Sequence, residues 1–84
     1  MYFWLQVRYR AIGILILIQL IINGKPRNFE QAALTISELV ATLDLEGKRL
    51  AIERNGEIVP RSLFVETLLS SGDKLEIVGA VGGG

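Results

Sequence analysis

The sequence predicts an α+β domain, a mixed sheet of four or five strands with one main helix on one face. Three observations predict it. Two Asn-Gly pairs, Asn23-Gly24 and Asn55-Gly56, each join strand-like runs, and Asn-Gly is the strongest short-range hairpin signal. Between the two lies "TISELVATLDL", with a helix start signal and apolar residues at helical spacing. After the second pair, "KLEIV" alternates as a strand once more.

The elements follow in chain order. "ILIQLIINGKPRNFE" reads as strand, turn, strand. If Leu20 and Ile22 face the core, Ile18 does too, because a strand repeats every two residues. Pro26 has no N–H to donate, which places the second strand at an edge. Thr35 is a good N-cap and Glu38, three residues on, completes a capping box. Ile36, Leu39, Val40 and Leu43 then share one helix face, and Gly47 lies beyond its end. Leu50 and Ile52 alternate with Ala51 and Glu53 in a third strand. A short strand Glu57–Val59 follows the second Asn-Gly turn, and Pro60 ends it. Leu63, Phe64 and Leu68 are expected to pack as an irregular or single-turn segment. Ser71-Gly72-Asp73 is a turn, and Lys74–Val78 is the last strand, with Leu75 and Ile77 on one face. A crossover helix separates the first hairpin from the later strands. The strands at Ile18 and Lys74 are therefore expected side by side and parallel at the sheet's centre.

Composition sets limits on chemistry. Eighty-four residues make one domain, near the lower limit for a single core. Half of them are hydrophobic, enough for a core without disulfides. With no Cys and no His, there is no thiolate and neither the commonest general base nor the commonest metal ligand. Nine basic residues balance nine acidic ones, but unevenly. Residues 1–18 carry Arg8 and Arg10 and no acid, a charge of +2; residues 19–84 carry seven basic and nine acidic side chains, a charge of −2. A slightly acidic body argues against a nucleic-acid partner, which calls for a basic stripe.

The apolar stretch Ala11–Ile22 is twelve residues, interrupted by Gly13 and Gln19. That is short of the roughly 20 that a membrane-crossing helix needs. Arg8, Arg10 and the run Ile12–Ile18 imitate the first two parts of a secretory signal, but no A-x-A cleavage site follows. The β-branched Ile residues suit a strand instead. No membrane contact is expected.

The sequence closes on "VGAVGGG", an apolar strand running into three glycines. A frayed terminus is one reading. The other makes the terminal carboxylate the working group.

The order β-β-α-β-β-β is that of the ubiquitin-like β-grasp. From about Gln19 to Gly84 the chain resembles the ThiS family, the sulfur carrier proteins of thiamin (thiazole) biosynthesis. The resemblance rests on "LIINGKP", "LTISELVATLDL", "LAIERNGEIVPRS" and "GDKLEIVGAVGGG". It implies a β-grasp domain over residues 15–80, a flexible glycine-rich tail over 81–84, and an extension of unknown role over 1–14. It also implies that Gly84 bears the reacting carboxylate, adenylated and then converted to a thiocarboxylate. Gly83 would supply flexibility and access: without a Cβ it can thread a narrow channel. The chain would be a carrier rather than an enzyme, binding no cofactor itself. ATP would be used by a partner, since no G-x-x-x-x-G-K-[ST] loop is present. The implied partners are a ThiF-like adenylating enzyme, a ThiG-like thiazole synthase and a sulfur donor of the cysteine desulfurase kind. The isolated protein is expected to be monomeric and cytoplasmic. Two alternatives stand beside this. One is the small subunit of molybdopterin synthase, with the same thiocarboxylate chemistry. The other is a β-grasp interaction module with an inert tail.

Other residues have two readings each. Glu53, Glu57, Glu66, Asp73 and Glu76 are solvated edge and turn residues or a metal site, and the first reading is favoured because no spacing repeats a known ligand pattern. Arg54, Arg61 and Lys74 form a solvated face or guide an acidic partner. Phe64 and Ile21 are single exposed hydrophobics or part of a docking patch on the open sheet.

Overall fold

The computed structural model describes residues 17–79. Five strands and one helix follow in the expected order: β1 (Ile18–Ile22), β2 (Lys25–Phe29), α1 (Ile36–Thr42), β3 (Leu50–Arg54), β4 (Glu57–Ile58) and β5 (Lys74–Gly79), with a 3-10 turn at Arg61–Leu63. The strands form one sheet in the order β2-β1-β5-β3-β4. β1 and β5 are parallel, and every other pair is antiparallel. β5 is thus the middle strand, and β2 with its Pro26 is at an edge. This is the β-grasp arrangement.

The two-residue period of the strands and the helical period of α1 meet in one core. Leu20, Leu34, Ile36, Leu39, Ile52 and Leu75 are fully buried there. Thr35 caps α1 as expected: its hydroxyl accepts from the Glu38 N–H at 3.1 Å, and the Glu38 carboxylate accepts from the Thr35 N–H at 2.8 Å. The next two orphan N–H groups, of Ile36 and Ser37, donate to the carbonyls of Thr67 and Phe64 at 3.1 and 3.0 Å. The segment after the 3-10 turn is therefore tied to the helix start. The helix ends earlier than Gly47 suggests. Asp44 takes the left-handed conformation (φ 60°), and the N–H groups of Asp44 and Leu45 reach back to the carbonyls of Ala41 and Val40. That is a Schellman-type stop with Asp in the place where Gly is usual.

The segment 63–69 corrects two expectations. Phe64 is not a docking residue on the open sheet; it lies in the core, 8% exposed. Leu63 and Leu68 point outward, at 39% and 58% exposed, and Leu69 takes the buried place. The cause is backbone pairing. The Phe64 N–H bonds the Arg61 carbonyl in the 3-10 turn, and the Leu69 N–H bonds the Leu34 carbonyl at 2.8 Å. Those bonds, rather than a regular period, decide which side chains turn inward.

Both Asn-Gly pairs form hairpin turns, with Asn23 and Asn55 at φ 50° and 52°. Their side chains do more than tolerate the turn. The Asn23 amide donates to the Ile77 carbonyl at 3.0 Å and accepts from the Ile77 N–H at 2.8 Å. The Asn55 amide donates to Asp73 at 3.0 Å and accepts from the Lys74 N–H at 2.9 Å. β5 is thus clamped from β1 on one side and from β3 on the other, near both of its ends. Asn23→Asp keeps the turn and the bond from the Ile77 N–H but sets a carboxylate against the Ile77 carbonyl. It is expected to lower the unfolding free energy in urea by about 1–2 kcal/mol. An unchanged midpoint would show that the clamp contributes nothing.

Candidate functional site

The structure carries the chain up to Gly79, the last residue of β5, which pairs with Leu50 of β3. Gly84, to which the resemblance gives the reacting carboxylate, and Gly83, to which it gives flexibility and access, lie outside the described residues, as do the 1–14 extension and the 81–84 tail. What is described is the root of the tail and its surroundings. Five residues follow Gly79 and can span at most about 17 Å.

The ground around that root is distinctive. A hollow of about 350 Å³ opens beside Gly79, walled by Ile22, Leu43, Leu45, Leu50 and Ile77, with Lys48 and Arg49 at its rim. A second hollow of about 340 Å³ lies on the other side of the 45–50 segment, where Arg61, Phe64 and the exposed Val65 join its wall. Arg61 reaches across to the Lys48 carbonyl at 3.4 Å. Lys48, Arg49 and Arg61 are all exposed.

The charged candidates sort themselves differently from the expectation. Asp73 is not a solvated turn residue; it is 7% exposed. Its carboxylate accepts from the Arg54 guanidinium at 2.8 Å, from the Asn55 amide at 3.0 Å and from the Ser70 N–H at 2.8 Å. Arg54 is accordingly a structural partner of Asp73, half-buried at 28% side-chain exposure, and not a free guide for a partner. Glu53 and Glu76 face each other across β3 and β5, and Glu57 lies opposite Arg54. Among the described residues no group of three acids converges as a metal site. No described helix is long and apolar enough to cross a membrane.

Burial alone pushes the Asp73 carboxyl up. The Ser70 N–H, the Asn55 amide and the Arg54 guanidinium together outweigh burial and hold it below the usual Asp value. A depressed folded value means that the contribution to stability is present above the unfolded value and is lost as pH falls through the folded one. Unfolding followed from about pH 6 to about pH 2 should show stability declining below about pH 4, with a flatter slope in Asp73→Asn. Equal slopes would place the acid sensitivity elsewhere.

The acid network and the Asn clamps escape a reading by sequence, since neither has a spacing of its own. A hint was available in the Asp after Ser71-Gly72, a turn residue with apolar sequence on one side.

Comparison with known proteins places the chain. The model of the ThiS family matches residues 20–84. The sulfur carrier protein ThiS of Bacillus subtilis is 40% identical over 63 residues, 75% of this chain and 96% of that protein. A thiazole synthase of Paramagnetospirillum magneticum is 46% identical over 66 residues, 79% of this chain, and this chain spans only 20% of that protein's length. A crystal structure of a thiamine biosynthesis protein (ThiS) from Geobacter metallireducens superposes with a TM-score of 0.71 at 32% identity, covering 80% of this chain and 100% of that one. With its β-grasp sheet and these relatives, the chain belongs to the ThiS family, the sulfur carrier proteins of thiamin biosynthesis.

Proposed function

We propose that this chain carries sulfur as a thiocarboxylate on Gly84 and delivers it to a thiazole synthase. The observation that carries this reading is the family match, which runs through Gly83 and Gly84. The chemistry follows from the carboxylate. A partner adenylating enzyme brings ATP; a Gly84 oxygen attacks the α-phosphorus and pyrophosphate leaves. The terminal sulfur of a donor persulfide then attacks the acyl carbon, and AMP leaves with the C–O electron pair. A thiol cleaves the resulting acyl disulfide, is itself oxidised to a disulfide, and frees the thiocarboxylate. Adenylation turns a poor leaving group into a good one and divides one hard step into easier ones. The chain's own part is to present an unhindered carboxyl carbon at the end of a strand held firm to Gly79.

The thiazole synthase as recipient draws on two relatives. In the proteins of that name from Paramagnetospirillum magneticum and Magnetococcus marinus, a stretch like this chain makes up 20% and 19% of the length. Carrier and recipient joined in one protein imply a recipient met in solution when they are separate. The test supplies the chain, bearing radiolabelled sulfur at Gly84, to a thiazole synthase with its remaining substrates. Label is expected in the thiazole product; label that stays on the chain would contradict the proposed recipient.

A further inference from the structure

We infer that the hollows at the tail root, with Lys48, Arg49 and Arg61 on their rims, are the surface on which the enzyme that activates Gly84 docks, through carboxylates and an inserted apolar side chain. This rests on the carrier reading. The geometry restricts the choice. Five residues lead from Gly79 to Gly84, a span of about 17 Å fully extended. An active site that encloses the Gly84 carboxyl must come that close to Gly79. The neighbours of Gly79 on the β3 side are Leu50, its partner in the ladder, and then Arg49 and Lys48. An enzyme that takes the tail therefore has the 45–50 segment within reach.

The chemistry of that segment says what the enzyme presents. Leu43, Leu45 and Leu50 are only partly buried and line open hollows rather than completing the core. Val65, 71% exposed, extends the apolar ground on the far side. Three of the seven described basic side chains gather here, while the body from residue 19 on is net −2. Of the others, Arg54 is held by Asp73. Glu46 is the single acid on the walls of the two hollows. An acidic partner surface meets attraction here and repulsion over much of the rest, so the charges steer the tail toward the active site. Arg61 also contacts the Lys48 carbonyl, at 3.4 Å, which brings it to the loop that carries Lys48 and Arg49.

The test measures ATP–pyrophosphate exchange by the adenylating enzyme as a function of carrier concentration. The chain with Lys48→Glu and Arg49→Glu is compared with the natural chain and with a control, Arg27→Glu with Lys74→Glu. The control changes net charge equally, on the edge strand β2 and at the opposite end of β5. Circular dichroism confirms that each is folded. The rim variant is expected to raise KM about tenfold with kcat within about twofold, and to flatten the rise of KM with salt; the control should leave KM within about twofold. Equal KM in the rim variant and the natural chain would overturn the inference, as would an equal rise in the control. A lowered KM would overturn it too, since it would mean that Lys48 and Arg49 hold back the chain's own carboxylate. Absence of exchange with the natural chain would instead count against the carrier reading.

Discussion

A chain lacking Gly84 is expected to fold as the full chain does and to form essentially no thiocarboxylate. In the proposed chemistry the reacting atom is the carboxyl carbon of the last residue. Removing Gly84 leaves a carboxylate about 3.5 Å short of the enzyme's reaction centre. Misplacement by about 1 Å can already cost on the order of 100-fold in rate. Adding a residue after Gly84 fails for a different reason, because it moves the carboxylate onward and leaves an amide at the reacting position. Neither change touches the core, whose buried residues run from Ile18 to Ile77. Gly82 is the informative control, since three glycines close the sequence and the family resemblance uses two. Gly82→Ala should be milder than Gly83→Ala, because a Cβ nearer the carboxyl narrows the fit inside the enzyme's channel. Exchange assays with far-UV circular dichroism read both halves. Normal exchange by the shortened chain would favour a β-grasp module with an inert tail.

Asp73→Ala is expected to be the most damaging single change in the charged network, at about 3 kcal/mol. It removes three hydrogen bonds at once, from Arg54, Asn55 and the Ser70 N–H. Arg54 retains some solvent, so the loss falls short of that for a wholly buried pair. The Ser70 N–H and the Asn55 amide have their bonds in a part-buried setting. A domain of this size has a total stability of only about 3–9 kcal/mol, so the variant should approach the edge of folding. Asp73→Asn keeps the shape and one acceptor and should lose roughly half as much. Urea unfolding of the three proteins decides it. If Asp73→Ala unfolds within about 0.5 kcal/mol of the natural chain, the network is peripheral to stability.

Much of this fold is legible because its signals are local and independent. The Asn-Gly pairs, the Thr35–Glu38 capping box and the Leu75–Ile77 alternation each act within a few residues, and each appears where its chemistry calls for it. The parallel pairing of β1 with β5 follows from the crossover rule and joins Ile21 to Lys74. What is not legible depends on contacts between distant parts of the chain. The places of Phe64 and Leu69 are settled by backbone bonds to Arg61 and Leu34, which leave no period in the sequence. Asp73 reads as one more turn acid until Arg54, nineteen residues earlier, is brought beside it. The surface at the tail root is assembled from Leu43 to Leu50, Arg61 and Gly79, and only the fold unites them.

The measurement closest to the proposed function is the intact mass of the full chain after incubation with its adenylating enzyme, ATP, a persulfide donor and a thiol. Replacement of one carboxyl oxygen by sulfur adds about 16 mass units. The gain should require ATP, map to the peptide that contains Gly83 and Gly84, and be absent from the chain that lacks Gly84. An unchanged mass, in a reaction where the same enzyme and donor modify the carrier protein of Bacillus subtilis, would contradict sulfur carriage by this chain.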